Sequence, residues 1–165
     1  RGIACGDCCQ LHGVVINVHE WLKIVNSFGV EQTASGLDKL FIKRNNDGSC
    51  AFLQSFSNTY LCGLQYMKPR ACQLWPFKIL NKPKLGYAKD AEYDYGENKL
   101  FVYADSMCNG LRYGQPTWEF CNHTIREFVE IAAGVRRNQF KTTSNLSQRQ
   151  PWPSFELNKR RPTII

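Results

Sequence analysis

The sequence predicts an irregular α+β domain with two main helices, short β-hairpins and long cysteine-bearing loops. Three observations predict it. Two segments place apolar residues at helical spacing between good caps. Several short β-branched or aromatic runs flank turn signals. Seven of the eight cysteines fall outside both helices. The chain of 165 residues fits one domain and can bury a core without covalent staples. A hydrophobic fraction of 43% and ten phenylalanines argue for a folded globular body. The expected division is a cysteine-cluster domain over 1–135 and a basic C-terminal tail over 136–165.

Taken in order, a CGDCC turn at residues 5–9 opens the chain, and the apolar stretch Leu11–Ile16 follows. A helix is expected over Val18–Phe28. Asn17 is its N-cap, and Glu20 stands three residues later, as a capping box requires. Trp21, Ile24, Val25 and Phe28 share its apolar face, and Gly29 is placed to end it. A second, short helical segment is expected over Thr33–Leu40. Phe41–Lys43 and Ala51–Leu53 read as strands joined by the turn Asn45-Asn46-Asp47-Gly48, so that a hairpin carries Cys50. Tyr60–Tyr66 reads as one helical turn, stopped before Pro69. Lys82–Gly86 is a loop, and Glu92–Tyr95 and Leu100–Tyr103 form a hairpin around Gly96-Glu97-Asn98. Trp118–Ala133 is the second main helix, capped by Thr117 and ended at Gly134. Its apolar face holds Cys121, Ile125, Phe128, Val129 and Ala132. No period survives beyond Gly134, where Pro151-Trp152-Pro153 is suited to pin the tail to the body or to a partner.

The net charge of +7 is unevenly placed. Residues 1–135 carry 14 basic and 13 acidic side chains, whereas residues 136–165 carry 7 basic side chains and only Glu156. Such a tail suits nucleic acid, an acidic partner or a membrane surface, or is simply solvated. No apolar run approaches a membrane span of roughly 18 residues. The opening RGIACGDCC has neither a signal-peptide pattern nor an initiator Met, so the true N-terminus is expected to be missing or processed.

Cys5, Cys8, Cys9, Cys50, Cys62, Cys72 and Cys108 form the pattern that carries chemistry. Thiolates at short spacing, joined by others from far along the chain, suit a soft metal or an iron–sulfur cluster, and make the domain metal-centred. Cys5 and Cys8 form a C-x2-C pair, whose sulfurs can reach one metal. Cys50, Cys62 and Cys72 arrive singly, which leans toward a 4Fe-4S cluster over zinc, because a cluster is larger than one ion. Leu74, Trp75 and Phe77 would shield such a centre from water. The expected primary donors are Cys5, Cys8, Cys50, Cys62 and Cys72. Cys9 and Cys108 are auxiliary or serve a second metal, and His12 is a weaker candidate. Arg70 is expected to donate to sulfur or to a bound anion, or else to make a surface ion pair. Cys121 lies on a helix face and reads as a small buried hydrophobe. The rival account is a secreted domain with four disulfides, which the sequons at Asn122 and Asn145 would suit.

The pieces CGDCC at 5–9, DGSCAFL at 47–53, YLCGLQYMKPRACQLWPF at 60–77 and MCNGLRYG at 107–114 together resemble the YkgJ-like cysteine-cluster family, over about residues 3–114. The helix with HEWLKI at 19–24 also lies where that family places one. The resemblance implies a zinc- or iron-chelating centre and a cytoplasmic, prokaryotic setting, without one agreed reaction. The family often reads C-x2-C-x2-CC, and this chain has Gly2 where the first cysteine would stand.

Three functions follow as expectations. The first is a cluster protein with a redox or electron-transfer role and a redox partner. The second is a zinc-stabilised module whose basic tail docks onto nucleic acid or a larger protein assembly. The third is a hydrolase or transferase with Cys108 as nucleophile and His12 or His123 as base. No P-loop, G-x-G-x-x-G or H-E-x-x-H motif competes with the cysteines.

Overall fold

The computed structural model describes residues 5–56, 59–111 and 114–139. Short helices and small antiparallel sheets together make the described residues an α+β fold. The chain divides into two compact units, Ala4–Gln73 and Leu74 onward.

The N-terminal unit begins with the short helix α1 (Asp7–Leu11) and strand β1 (Val15–Ile16). Helix α2 (Val18–Phe28) has the expected ends. The Asn17 side chain accepts from the Glu20 N–H at 2.9 Å, and the Glu20 carboxylate accepts from the Asn17 N–H at 2.9 Å. The Gly29 N–H closes the last turn on the Val25 carbonyl. Of the four residues expected on its inner face, Ile24 is buried, whereas Phe28 is exposed and meets Phe52 edge-on.

The short helix expected over Thr33–Leu40 is not formed. Strands β2 (Thr33–Ser35) and β3 (Leu40–Ile42) occupy that stretch and pair in the sheet order β1-β3-β2. The Thr33 hydroxyl donates to the Val30 carbonyl and accepts from the Trp21 indole N–H. The Asn45–Gly48 turn forms as expected, with Gly48 at φ 82° and its N–H on the Asn45 carbonyl. The flanking ladder is shorter than expected: a single bridge pairs Arg44 with Cys50. Strand β4 (Leu53–Phe56) then pairs with β5 (Thr59–Cys62). The helical turn expected at Tyr60–Tyr66 is thus corrected to a strand as far as Cys62. Cross-strand pairing holds Tyr60 and Leu61 extended, which suits the β-favouring Tyr60. Helix α3 (Arg70–Leu74) follows Pro69. Ile16, Ile24, Ile42, Cys50, Phe52 and Leu64 form the core of this unit.

The C-terminal unit is a three-stranded sheet between helices. Strands β6 (Phe77–Leu80), β7 (Glu92–Tyr95) and β8 (Asn98–Ala104) lie in the order β6-β8-β7. The hairpin turns at Gly96, as expected, with φ 59°. Alternation along β8 divides its side chains. Leu100, Val102 and Ala104 pack with Phe120, Ile125, Phe128 and Val129, while Phe101 and Tyr103 pack with Ala88 and Ala91 of α4 (Ala88–Ala91). The expected second main helix runs over 118–133, with the Thr117 hydroxyl accepting from the Phe120 N–H and Gly134 at its end. Its middle, Phe120–Ile125, is wound as a π-helix before α5 (Arg126–Ala133). The wider turn shifts the inner face, so that Thr124, Glu127 and Ile131 are buried beside Ile125, Phe128 and Val129.

Arg136, the first basic residue of the expected tail, is paired with Glu130 at 2.6 Å and with Glu127 at 3.4 Å. Residues 140–165, with Asn145 and Pro151-Trp152-Pro153, lie outside the described residues, as do Gly2 and Arg112-Tyr113. Among the described residues, no helix is long and apolar enough to cross a membrane.

Candidate metal centre

The N-terminal unit holds Cys5, Cys8, Cys9, Cys50, Cys62 and Cys72, and the C-terminal unit holds Cys108 and Cys121. All eight are free thiols. Five local devices bring most of the first group together. Gly6, in the left-handed region at φ 76°, turns the chain from Cys5 into α1, and any side chain there would strike the Tyr60 ring at 2.8 Å. Helix α1 presents Cys8 and Cys9, whose sulfurs lie 3.8 Å apart. The turn at Asn45–Gly48 returns Cys50, and its N–H donates to the Cys9 carbonyl at 2.7 Å. Cys62 ends β5 opposite Leu53, whose N–H donates to the Cys50 carbonyl at 2.9 Å. Cys72 enters on α3.

The thiols differ sharply in acidity. Cys9 keeps its proton, pushed up by its hydrogen bonds to Cys50 and Cys8. Receiving that bond lowers Cys8 to about 7 against the effect of burial, with help from the Lys68 ammonium. Cys50 is likewise lowered to about 7 by Cys9, against burial, with help from the Phe52 N–H and the Arg44 guanidinium. Burial pushes Cys62 and Cys72 up, and Cys72 also feels Cys62, Cys8 and Cys50. Cys5 is exposed and raised by partial burial of its sulfur, beside Asp7. Cys8, Cys9, Cys50, Cys62 and Cys72 therefore form one electrostatic neighbourhood, with Cys9 between Cys8 and Cys50.

This donor set fits a soft metal, because it is rich in sulfur and already carries two thiols that ionise near neutral pH. The 3.8 Å between the Cys8 and Cys9 sulfurs equals the edge of a zinc–thiolate tetrahedron, about 3.8 Å for Zn–S bonds of about 2.3 Å. Among the described residues, no three His, Cys, Asp or Glu side chains stand arranged around a single ion. Closing a full shell would require the sulfurs to draw together, which would couple metal uptake to folding.

The other expected residues are placed as follows. Cys108 is buried in the turn after β8. Cys121 packs partly against the core of the C-terminal unit. The Nε2 atom of His12 is buried, and His123 is exposed beside the Trp118 ring. Arg70 is exposed, and its backbone N–H donates to Glu20 at 2.7 Å. Arg44 and Lys68, the two cations that act on the thiols, were not among the expected site residues. Arg44 had a signal: a turn centred on Asp47 sets residues 44 and 50 opposite each other. Lys68 had none, because only the fold after β5 places it.

No curated protein and no solved structure matches this chain. The profile of the CxxCxxCC family, described as a "putative zinc- or iron-chelating domain", matches residues 2–109, and the chain belongs to that family.

Proposed function

We propose that the N-terminal unit of this metal-binding protein uses Cys8, Cys9, Cys50, Cys62 and Cys72, with Cys5 at the margin, to hold a 4Fe-4S cluster with a redox or electron-transfer role. The observation that carries the reading is the shared electrostatic neighbourhood of five thiols delivered by separate elements. A tetrahedral ion and a 4Fe-4S cluster each take four ligands, but the cluster spreads them over a larger volume. When bound, the cluster would supply one-electron chemistry. The residues of this chain exclude water through Phe52, Leu64 and Met67, which pack around Cys50 and Cys62. Arg44 and Lys68 offset the negative charge of the thiolates.

A second reading is a zinc centre that holds the fold, favoured by the sulfur pair at 3.8 Å. Anaerobic purification with metal and acid-labile sulfide analysis separates the two. About four iron and four sulfide per chain, with a visible absorption bleached by dithionite, is the expected result. A colourless protein with zinc and no sulfide overturns the cluster in favour of the second reading.

A further inference from the structure

We propose that Arg44 is a positioning residue for the metal centre, which donates a hydrogen bond from Nη1 to the metal-bound sulfur of Cys50. This inference rests on the metal-centre reading, but not on which metal is bound. Arg44 and Cys50 are direct partners across an antiparallel bridge, so their side chains leave the same face of the ladder. One end of the guanidinium is anchored, with Nη2 on the Gln10 carbonyl at 2.6 Å. The other end, Nη1, is buried and has no hydrogen-bond partner among the described residues.

A buried guanidinium N–H without an acceptor is costly, and such groups are rare unless a ligand completes them. A thiolate sulfur bound to metal is an acceptor of the right charge. Four thiolates around a divalent ion leave a net charge of about −2, which a buried site must offset with cations or donors. The same argument holds for a cluster, because its donors are also thiolates. The two grips reinforce each other. The Cys50 N–H holds the Cys9 carbonyl and Arg44 holds the next carbonyl, that of Gln10. One hairpin therefore grips the backbone at Cys9 and Gln10 and supplies a donor to the sulfur it carries.

The test uses the full chain, stripped of metal and titrated with Co2+ as a probe of thiolate ligation. A hydrogen bond to sulfur lowers the energy of its lone pairs, so its loss shifts the thiolate-to-cobalt band to longer wavelength. Arg44→Gln is expected to shift that band and to weaken Co2+ binding by about 10- to 100-fold against a competing chelator. Arg44→Lys, which keeps the charge without the fork, is expected to fall between Arg44→Gln and the unchanged protein. Asn45→Ala loosens the same turn by removing the amide's bonds to the Ser49 hydroxyl (3.0 Å) and the Cys50 carbonyl (3.4 Å), neither of which touches sulfur, and is expected to leave the band in place. An Arg44→Gln protein with unchanged band and affinity overturns the assignment of Arg44 alone. A band moved equally by Asn45→Ala also overturns it, because the effect is then that of the turn. If the unsubstituted chain gives no thiolate-to-cobalt band, the metal-centre reading falls with it.

Discussion

The two units solve the problem of stability in different ways. The C-terminal unit covers its three-stranded sheet on both faces, with Phe120, Ile125, Phe128 and Val129 on one side and Ala88 and Ala91 on the other. The N-terminal unit has strands of two to four residues, and its core includes Cys50, with Cys9 and Cys62 packed against it. Apolar area stabilises the first, at about 25 cal/mol per Å² removed from water. The second gives part of its interior to polarizable thiols and cations, which stabilise fully only when a metal joins them. On the proposed reading, the difference separates a part that folds by packing from a part whose folding depends on its metal.

Metal removal is the largest test of that contrast. Structural thiolate sites contribute on the order of 10 kcal/mol. Stripping the metal should therefore open the N-terminal unit while strands β6–β8 keep their protection in hydrogen exchange. Equal loss in both units would break the comparison. The sign of the pH dependence should also change. In the metal-free state, Cys9, Cys62 and Cys72 have raised values, so their contribution is complete below the ordinary thiol value and is lost as pH rises above it. Cys8 and Cys50, lowered to about 7, contribute above the ordinary value and lose that contribution as pH falls through about 7. Metal-free protein should thus melt earlier at pH 10.5 than at pH 9. Loaded protein, whose ligands are already ionised, should lack that alkaline loss.

Phe128→Ala is the corresponding test of the packed unit. Phe128 is 2% exposed and its ring meets Phe77 edge-on, with centroids 4.7 Å apart. The cavity should cost about 3–5 kcal/mol in a denaturant melt. Metal content per chain should not change. Lost metal would show that the two units do not stand independently.

The sequence was most legible where a signal is local. Asn17, Glu20 and Gly29 bound α2 as expected, and Gly96 and Asn98 mark the second hairpin. Period alone was not enough at Thr33–Leu40 or Tyr60–Cys62, where three- and four-residue strands owe their form to partners far along the chain. The π-helix at Phe120–Ile125 left no mark in the spacing, yet it moved the buried face. The cysteine pattern announced a centre, but it did not mark the division at Gln73–Leu74 that separates Cys72 from Cys108. The cations were hidden for a simpler reason: Arg44 and Lys68 look like surface charges until the fold turns them toward sulfur.

The smallest test compares two helix starts of similar chemistry. Thr117 caps the C-terminal helix through one bond to the Phe120 N–H, at 3.1 Å. Glu20 does more than complete the capping box of α2. One carboxylate oxygen accepts from the Asn17 N–H, and the other accepts from the Arg70 N–H at 2.7 Å, at the start of the helix that carries Cys72. Thr117→Ala and Glu20→Ala should each cost about 1 kcal/mol in thermal or denaturant melts, since both remove an acceptor from a helix N-terminus. Only Glu20→Ala should also weaken metal binding, because it loosens the hold on α3 and lets Cys72 wander. Glu20→Gln keeps an acceptor for one of the two N–H groups and should recover part of the affinity. Equal metal affinity in Thr117→Ala and Glu20→Ala would mean that Cys72 needs no such hold.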